Sequence, residues 1–310
     1  MEKKIATVIV TYNRKDLLKR CLDAVSQQTF KPATVYITDN ASTDGTLGSV
    51  KEWNYYECEK NGIQYKYIHN SKNEGGAGGF YLGMKTAFED DSYDGVWVMD
   101  DDGVPDNNCL SVLVKYLDNR DYIAPCVLSI ENPKVGFGID HPNYEEVKAQ
   151  YPDGVIEGVS APFNGILYSS TLIKTIGYPK REMFIWGDET NYHLRAIKAN
   201  MPPITVLRAI HYHPFSKQVQ FEYGKRKYVD IDTKWKLYCF LRNKWYNTLR
   251  LSNRNYVRSS ISVILDALRY IIAYKIIKRR NIGYLVIDAL VCSFEGNFDR
   301  LSKYMKKDEK

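Results

Sequence analysis

The chain of 310 residues lacks several patterns that mark common classes of protein. Its six cysteines occur singly, without Cys-x-x-Cys spacing, which argues against a structural zinc site and for a reducing compartment. Charged residues interrupt the most apolar segments, 261–277 and 282–294, so none offers the ~20 apolar residues of a membrane-spanning helix. Residues 1–4, Met-Glu-Lys-Lys, lead directly into an apolar run and predict no signal peptide.

Two common kinds of phosphate-binding loop are also missing. The glycine cluster at residues 75–79 has neither the Gly-x-Gly-x-x-Gly pattern of dinucleotide-binding proteins nor the Gly-Lys-Ser/Thr of a P-loop. It also follows the third predicted strand rather than the first, so a dehydrogenase is disfavoured. These glycines either let the backbone approach a ligand or a strand closely, or form a tight turn before a helix.

Charge is unevenly distributed along the chain. The net charge is +6, but residues 225–310 hold 20 Lys and Arg against 8 Asp and Glu, a balance of +12, and the first 224 residues carry −6. An acidic body disfavours a nucleic-acid-binding protein. A basic, aromatic C-terminal region suggests contact with an anionic membrane surface. The alternative is that these helices pack on the body or mediate self-association.

Apolar runs alternate with segments of helical periodicity through the first hundred residues. Strands are predicted at residues 5–10, 34–38, 65–68 and 96–99, and helices at 16–28 and from the glycine cluster to about 88. This alternation predicts a parallel α/β sheet. Residues 120–220 indicate mixed strand and loop, and the pattern turns helical from residue 232. Because polar residues follow the predicted strands, a ligand site is expected at their carboxyl ends.

The most informative strand end is that of 96–99, which runs into three consecutive carboxylates, Asp100, Asp101 and Asp102. Three like charges in a row repel one another, and no helix N-terminus is predicted there to offset them. On an extended backbone Asp100 and Asp102 would point to the same side. Two hard oxygen ligands in that arrangement suit Mg²⁺ or Mn²⁺. The alternative is a solvated acidic turn.

A polar loop follows the second predicted strand. Asp39 could accept the imide N–H of a uracil or thymine ring, or it could form an Asx-type turn with Asn40 and Ser42. Tyr12, at the end of the first strand, could stack on the base.

Two later segments carry further candidates. Residues 183–186 form an apolar, strand-like run that again ends in acids, Asp188 and Glu189. A carboxylate there could act as a general base, or the pair could interact with a helix dipole. His211 and His213 alternate on one predicted strand, and one of them could be a third metal ligand or a buried structural histidine.

Together these segments resemble the family 2 glycosyltransferases of the GT-A fold, across about residues 5–245. The matching segments are Thr-Tyr-Asn-Arg at 11–14, Asp-Asn-Ala-Ser-Thr-Asp-Gly at 39–45, Asn-Glu-Gly-Gly-Ala-Gly-Gly-Phe at 73–80, Asp-x-Asp at 100–102 and the acidic pair at 188–189. Within the family, the triple aspartate and the glycine-rich loop are most similar to bacterial galactofuranosyltransferases. The resemblance implies an α/β, GT-A (Rossmann-like) nucleotide-sugar-binding sheet over residues 1–225 and a helical C-terminal appendage over residues 226–310.

The resemblance also implies donor and metal positions. The nucleotide-sugar-binding positions correspond to Thr11, Tyr12, Arg14, Asp39, Asn73, Gly76 and Asp100. Asp100, Asp102 and a histidine would hold Mn²⁺ or Mg²⁺. His213 is favoured over His211 because Tyr212-His213 resembles the family's aromatic–His pair.

The resemblance also implies which carboxylate is the general base, when the sequence is aligned on Tyr192 and Arg195. This alignment places Glu189 at the position of the general base, with Asp188 as second choice. Asn191 then occupies a position where another acid is common. Acceptor-side positions correspond to Asn164 and Trp186.

The function implied by the resemblance is an inverting, metal-dependent transfer of galactofuranose from UDP-galactofuranose. The acceptor would be a glycan or a lipid-linked glycan in cell-surface polysaccharide assembly. The enzyme would work on the cytoplasmic face of the cell membrane as a peripheral protein. It would have no nucleic-acid partner, and it could form a homo-oligomer. The alternatives are a rhamnosyl or other hexosyl donor on the same fold, and a non-catalytic, nucleotide-sugar-binding scaffold subunit.

Overall fold

A computed structural model describes residues 3–90, 92–137, 143–214 and 219–305, without the side chains of 54–61 and 137. The chain divides into two compact units, residues 1–181 with 195–215, and residues 182–194 with 216–310. The predicted boundary between residues 225 and 226 therefore falls inside the second unit. That unit begins earlier because residues 184–185 and 221–229 pack into the apolar cluster of the C-terminal helices.

The first unit is built on one large sheet, whose strand order is β3-β2-β1-β4-β9-β6-β10-β5, with β7 paired to β6 and β8 to β10. The strands are β1 (Ile5–Thr11), β2 (Thr34–Asp39), β3 (Gln64–His69), β4 (Gly95–Asp100), β5 (Val104–Pro105), β6 (Tyr122–Ser129), β7 (Gly136–Phe137), β8 (Val155–Glu157), β9 (Asn164–Ser169) and β10 (Ile204–His213).

Only part of this sheet is parallel. Strands β3, β2, β1 and β4 run parallel, as predicted, but β9 lies antiparallel between β4 and β6. The parallel sheet predicted from the first hundred residues is therefore confirmed for these four strands. Strands β6 and β10 are also parallel, and the remaining pairings are antiparallel. Strands β1, β2 and β6 are buried along their whole length, which explains why their sequences are continuous apolar runs rather than alternating ones.

Helices connect the strands of the sheet. They are α1 (Lys15–Ser26), α2 (Thr46–Asn61), α3 (Gly75–Asp90), α4 (Cys109–Val114), α5 (Tyr144–Gln150), α6 (Ser170–Ile176) and α7 (Asp188–Lys198), and a 3₁₀ turn covers Arg181–Met183. Helix α3 packs unusually close to β1 and β2. A Cβ atom on Gly79 would lie 2.4 Å from Val10, and one on Gly83 would lie 2.5 Å from both Val8 and Thr38. Gly79 and Gly83 thus allow close packing of this helix on the strands.

The second unit is mainly helical. It contains a hairpin of β11 (Gln220–Tyr223) and β12 (Arg226–Val229), helices α8 (Lys234–Leu251), α9 (Tyr256–Ile276), α10 (Gly283–Glu295) and α11 (Ser302–Met305), and a 3₁₀ turn at Asp299–Leu301. Residues of α8, α9 and α10 form one buried cluster that includes Tyr238, Trp245 and Tyr274. Among the helices described, none combines the length and apolarity needed to cross a membrane.

Candidate active site

The parallel strands of the first unit end together at one edge of the sheet. In the register of β1 with its two neighbours, Thr11 is opposite Asp39 and Val10 is opposite Asp100. This register gathers the polar strand ends that the sequence predicts as a ligand site.

The three consecutive aspartates do not continue β4. The strand ends at Asp100, and a turn follows in which the Gly103 N–H donates to the Asp100 carbonyl at 3.3 Å. Asp101 turns inward, is 2% exposed, and accepts hydrogen bonds from Thr11 Oγ1 at 2.7 Å and Arg14 Nη1 at 3.3 Å. Asp100 and Asp102 therefore converge through a turn, not through strand alternation as the sequence argument assumed.

Asp100, Asp102 and His213 form a group that could hold a metal ion. One ligand atom from each lies within 4.8 Å of the others, and all three residues are partly buried. His213 Nε2 lies 3.2 Å from Asp102 Oδ1, while His213 Nδ1 lies 2.8 Å from the Pro214 carbonyl oxygen. If Nδ1 carries the proton and donates to that carbonyl, Nε2 is left as the metal-binding nitrogen. Two carboxylates and an imidazole are a suitable donor set for a divalent cation.

The negative charge at this turn is concentrated and poorly solvated. Burial, followed by the charges of Asp102 and Asp101, raises the pKa of Asp100 to about 8. Burial likewise raises the pKa of Asp101 to about 6, against the opposing effect of Thr11 and Arg14. Burial would also raise the pKa of Asp102, but its contact with His213 keeps that pKa below the ordinary value. A cation at this position would offset the repulsion.

The second acidic segment has a different architecture. The predicted strand at 183–186 is wrong, because the segment is an irregular loop with positive φ at Phe184 (68°), Trp186 (56°) and Gly187 (101°). The amide nitrogen of Asn243 on α8 lies within 2.7–3.0 Å of the carbonyl oxygens of Met183, Ile185 and Trp186. Hydrogen bonds from a side chain of α8 thus stabilise this backbone, whereas a strand would be stabilised by backbone hydrogen bonds within a β-sheet.

The two candidate bases differ in exposure. Asp188 is 4% exposed, whereas Glu189 is partly exposed and its Oε2 accepts a hydrogen bond from the Gly187 N–H at 2.9 Å. Glu189 also lines a cleft of about 490 Å³ together with Trp186, Phe240 and Lys244. Glu189 is therefore the acid that a ligand in this cleft could reach.

The sequence matches known families over most of its length. A glycosyl transferase family 2 model matches residues 7–169, just over half of the chain. Galactofuranosyltransferase GlfT1 of Mycobacterium tuberculosis is 31% identical over 224 residues, which are 69% of this chain and 71% of that protein. The chain belongs to glycosyltransferase family 2. It is an enzyme of sugar transfer, as the sequence predicts.

Solved structures confirm the GT-A fold of this glycosyltransferase. TarS of S. aureus aligns with a TM-score of 0.60 at 15% identity, covering 97% of this chain. This chain spans half the length of that TarS chain. A mannosyltransferase, PcManGT from Pyrobaculum calidifontis in complex with GDP-Man and Mn²⁺, aligns with a TM-score of 0.57 at 14% identity, covering 100% of this chain and 80% of that one.

The other histidine of the glycosyltransferase, His211, is not one of the three residues of the metal group. It is fully buried, and burial lowers its pKa to about 3. Neither ring nitrogen has a hydrogen-bond partner among the described residues. The ring is wedged between two glycines, because a Cβ would come within 2.4 Å of it at Gly103 and 2.6 Å at Gly165. This packing fits a structural histidine and leaves the ligand position to His213.

The predicted donor-binding residues at the ends of β1 and β2 contact residues of the turn after the neighbouring strand β4 and of strand β3. Arg14 pairs with Asp102 at 3.0 Å as well as with Asp101. Asp39 is buried and accepts from the Ser42 N–H at 2.9 Å, which is the Asx-type turn considered as an alternative. Asp39 also accepts from the Tyr67 hydroxyl. Tyr12 is 44% exposed at this edge.

The remaining predicted residues of the first unit lie near the same strands. Asn73 Oδ1 accepts from the Gly75 N–H at 2.8 Å at the start of α3, and Gly76 faces open space. Asn164 is opposite Met99 in the β4–β9 register, one residue before Asp100. Its Oδ1 is buried without a hydrogen-bond partner in the described part of the chain. Gly76 thus leaves room for a ligand, and Asn164 offers it a hydrogen-bond acceptor.

The sequence argument did not assign a role to Asn243 and Asn247 on α8. Asn247 Nδ2 donates to the Gly187 carbonyl at 2.8 Å, and its Oδ1 accepts from Asn191 at 2.8 Å. The spacing of four residues, which puts both amides on one helix face, is the signal that could have indicated a shared partner.

Proposed function

We propose that this glycosyltransferase transfers galactofuranose from UDP-galactofuranose to a hydroxyl group of a glycan or lipid-linked acceptor, with inversion at the anomeric carbon. The observation that carries the proposal is the convergence of Asp100, Asp102 and His213 at the carboxyl ends of parallel strands. A diphosphate donor needs a cation at such a position, and strand ends are where ligands bind in α/β sheets.

The comparisons support the donor class. The relative GlfT1 is named a galactofuranosyltransferase, and it matches this chain over about seven-tenths of both proteins. The structure of the mannosyltransferase PcManGT contains a nucleotide sugar, GDP-Man, together with Mn²⁺. A nucleotide-sugar donor and a divalent ion are therefore the expected ligands here, and galactofuranose is the sugar we propose.

The metal-binding role goes to Asp100, Asp102 and His213, with Mn²⁺ or Mg²⁺ as the ion. When bound, the ion would neutralise the charge that builds on the diphosphate leaving group. Arg14 would hold Asp102 in place through its ion pair, and Thr11 would keep Asp101 turned inward. These contacts support Asp100 and Asp102 as the two carboxylates that would face the donor.

The remaining donor contacts stay as we infer them from the family resemblance. Tyr12 would stack on the base, and Asp39 would read its imide N–H. Asn73 and Gly76, at the start of α3, would border the phosphates or the sugar, where Gly76 leaves the backbone open to a ligand.

Glu189 is the proposed general base. It would remove the proton from the acceptor hydroxyl while that oxygen bonds to the anomeric carbon and the bond from this carbon to the diphosphate breaks. Its exposure relative to Asp188 and its place in the cleft support this choice. Trp186, 37% exposed in the same cleft, would contact the acceptor sugar, and Asn164 would contact it from β9.

We propose further that the enzyme acts as a peripheral protein on the cytoplasmic face of the membrane. There lipid-linked acceptors would be available to it, and the net charge of +12 over residues 225–310 supports an anionic surface as partner. The last five residues of this basic region lie outside the described residues.

The test is a donor screen by mass spectrometry. Purified full-length protein, Mn²⁺ and a synthetic lipid-linked acceptor are incubated with UDP-galactofuranose, UDP-glucose, UDP-galactopyranose and dTDP-rhamnose in parallel. We expect a product only with UDP-galactofuranose, and none in EDTA. Transfer from another donor would overturn the sugar assignment. Nucleotide-sugar binding without transfer from any donor would indicate a scaffold subunit.

A further inference from the structure

Helix α9 carries apolar residues on two opposite faces. Its buried residues, which include Val263, Tyr270 and Tyr274, pack into the cluster shared with α8 and α10. A second set is 42–67% exposed and consists of Val257, Ile261, Ile264, Leu265, Leu268, Ile272 and Ile276. At helical periodicity these seven fall in an arc of about 120° centred opposite the buried face. We call them the outer row of α9.

The outer row is too continuous for an ordinary solvated surface. Single exposed apolar side chains are common on proteins, but contiguous apolar patches mark interaction sites. The row runs along the whole helix, a length of about 30 Å. Something other than water is therefore expected to cover it.

The charges around the outer row indicate what covers it. Between residues 254 and 280 the sequence has seven basic residues and one acidic residue, Asp266. Asp266 is already engaged, because it accepts from Lys244 at 2.8 Å and from the Trp245 indole at 2.9 Å. Arg258 and Arg269 border the row on one side, and Lys275 lies within it.

A contact between the outer rows of two copies of this chain would bring the basic side chains of both copies close together. Like charges facing each other disfavour that contact. A bilayer with anionic headgroups instead matches both features, because acyl chains accept the apolar row and headgroups accept arginine and lysine.

We propose that α9 lies in the plane of an anionic membrane surface, with its outer row inserted among the acyl chains and its basic residues on the headgroups. The proposal rests on the proposed function only for its purpose, which is to bring the enzyme to a lipid-linked acceptor. The binding itself requires neither donor nor transfer.

The test is co-sedimentation of the full-length protein with vesicles, without donor or acceptor. Vesicles contain either phosphatidylcholine alone or a mixture with phosphatidylglycerol. Because α8, α9 and α10 share one core, point substitutions are used rather than truncation. The triple variant Ile261→Gln, Leu268→Gln, Ile272→Gln changes only outer-row residues. The matched control is Leu47→Gln, Ile197→Gln, Val219→Gln, which changes three exposed apolar residues outside α9.

We expect the wild type and the control to bind phosphatidylglycerol vesicles, less so at high salt, and to bind phosphatidylcholine vesicles weakly. The outer-row variant should bind phosphatidylglycerol vesicles about tenfold or more weakly, because lost apolar insertion lowers the partition constant. Equal binding by both variants, or no binding by the wild type at low salt, would overturn the proposal. The proposal would also be overturned if light scattering shows that the wild type is a dimer that does not bind vesicles, and that the outer-row variant is a monomer.

Transfer to a water-soluble acceptor without vesicles separates this proposal from the proposed function. The outer-row variant should keep that activity. If it keeps activity and still binds vesicles as the wild type does, only the membrane proposal fails. If the wild type binds vesicles through α9 but transfers no sugar, only the proposed function fails.

Discussion

The two acidic segments, residues 96–102 and 183–189, have the same outline in sequence and different backbones in the structure. Each is an apolar run followed by carboxylates. In the first, β4 lies between β1 and β9, and a turn closed by Gly103 presents the acids. In the second there is no strand, and Asn243 holds three carbonyl groups of a loop with positive φ angles.

The difference lies in what fixes each carboxylate. Backbone hydrogen bonds of the sheet position Asp100, so the identity of nearby side chains matters little to its place. Glu189 follows a loop whose conformation is unfavourable for residues with side chains, and it depends on amide groups four residues apart on α8. Substitutions in each segment therefore test this contrast.

The largest effect is expected at the metal turn. Asp102→Asn should lower kcat by about 10³-fold or more, because charge stabilisation by a bound cation contributes several kcal/mol to the barrier. Divalent-dependent binding of UDP, measured by calorimetry, should be lost while the circular dichroism spectrum is unchanged. Asp118→Asn, at an exposed acid paired with Lys3, serves as control. Full activity of the Asp102 variant, or of the wild type in EDTA, would contradict the assignment.

A smaller loss is expected at the proposed base. Glu189→Gln should lower kcat by about 10²-fold, within the range of general base catalysis, with donor affinity little changed. Glu222→Gln, at an exposed acid of the same unit, should behave as wild type. If Asp188→Asn has the large effect and Glu189→Gln does not, the roles of the two acids are exchanged.

The contacts of Asn243 with the carbonyl groups of the loop, which we call the loop clamp, should affect catalysis indirectly. Asn243→Ala removes two amide N–H donors, which three carbonyl groups share, and the oxygen that accepts from Arg242 Nε. It should reduce the free energy of unfolding by about 3 kcal/mol, at about 1 kcal/mol for each lost hydrogen bond. The displaced loop should lower kcat by about tenfold without changing UDP affinity. Asn247→Ala, which releases the Gly187 carbonyl and the Asn191 amide, should cost about 2 kcal/mol in chemical denaturation. Equal stability losses for the two variants would argue against the clamp.

The smallest effect on activity is expected at Gly187. Its φ is 101°, and a Cβ there would lie 2.8 Å from the Asn243 Cβ. Gly187→Ala should therefore lower the free energy of unfolding by about 2–3 kcal/mol, from backbone strain and the clash together. Gly45→Ala, at φ 86° with open space around it, carries the strain alone and should cost about 1 kcal/mol. Similar losses in thermal unfolding would mean that the contact with Asn243 is unimportant.

Local patterns in the sequence were sufficient for much of the fold. The strands predicted at 5–10, 34–38, 65–68 and 96–99 match β1 to β4 within one residue. Three of them, β1, β2 and β4, are buried runs with polar residues at their ends. Family 2 and the GT-A fold are confirmed by the comparisons. The metal group is a geometric match to the predicted Asp100, Asp102 and His213, while the roles of the site residues stay predictions.

Features that depend on contacts distant in sequence were not predictable. The inward turn of Asp101 requires Thr11, 90 residues earlier. The irregular loop at 184–187 requires Asn243, almost 60 residues later, so an apolar run alone was misread as a strand. Periodicity reports on burial along a single element, and it is silent about which side chain will reach across to a backbone carbonyl.

The inward position of Asp101 has a consequence for charge balance. Because Thr11 and Arg14 engage this carboxylate, Asp100 and Asp102 are the two acids of the turn left to face a ligand, and a bound divalent cation would balance the charge of both carboxylates. A third facing carboxylate would leave a surplus negative charge that repels an incoming diphosphate. With a cation bound, the metal site would carry no net charge, and the phosphates of a donor would be the next ligands that the cation attracts.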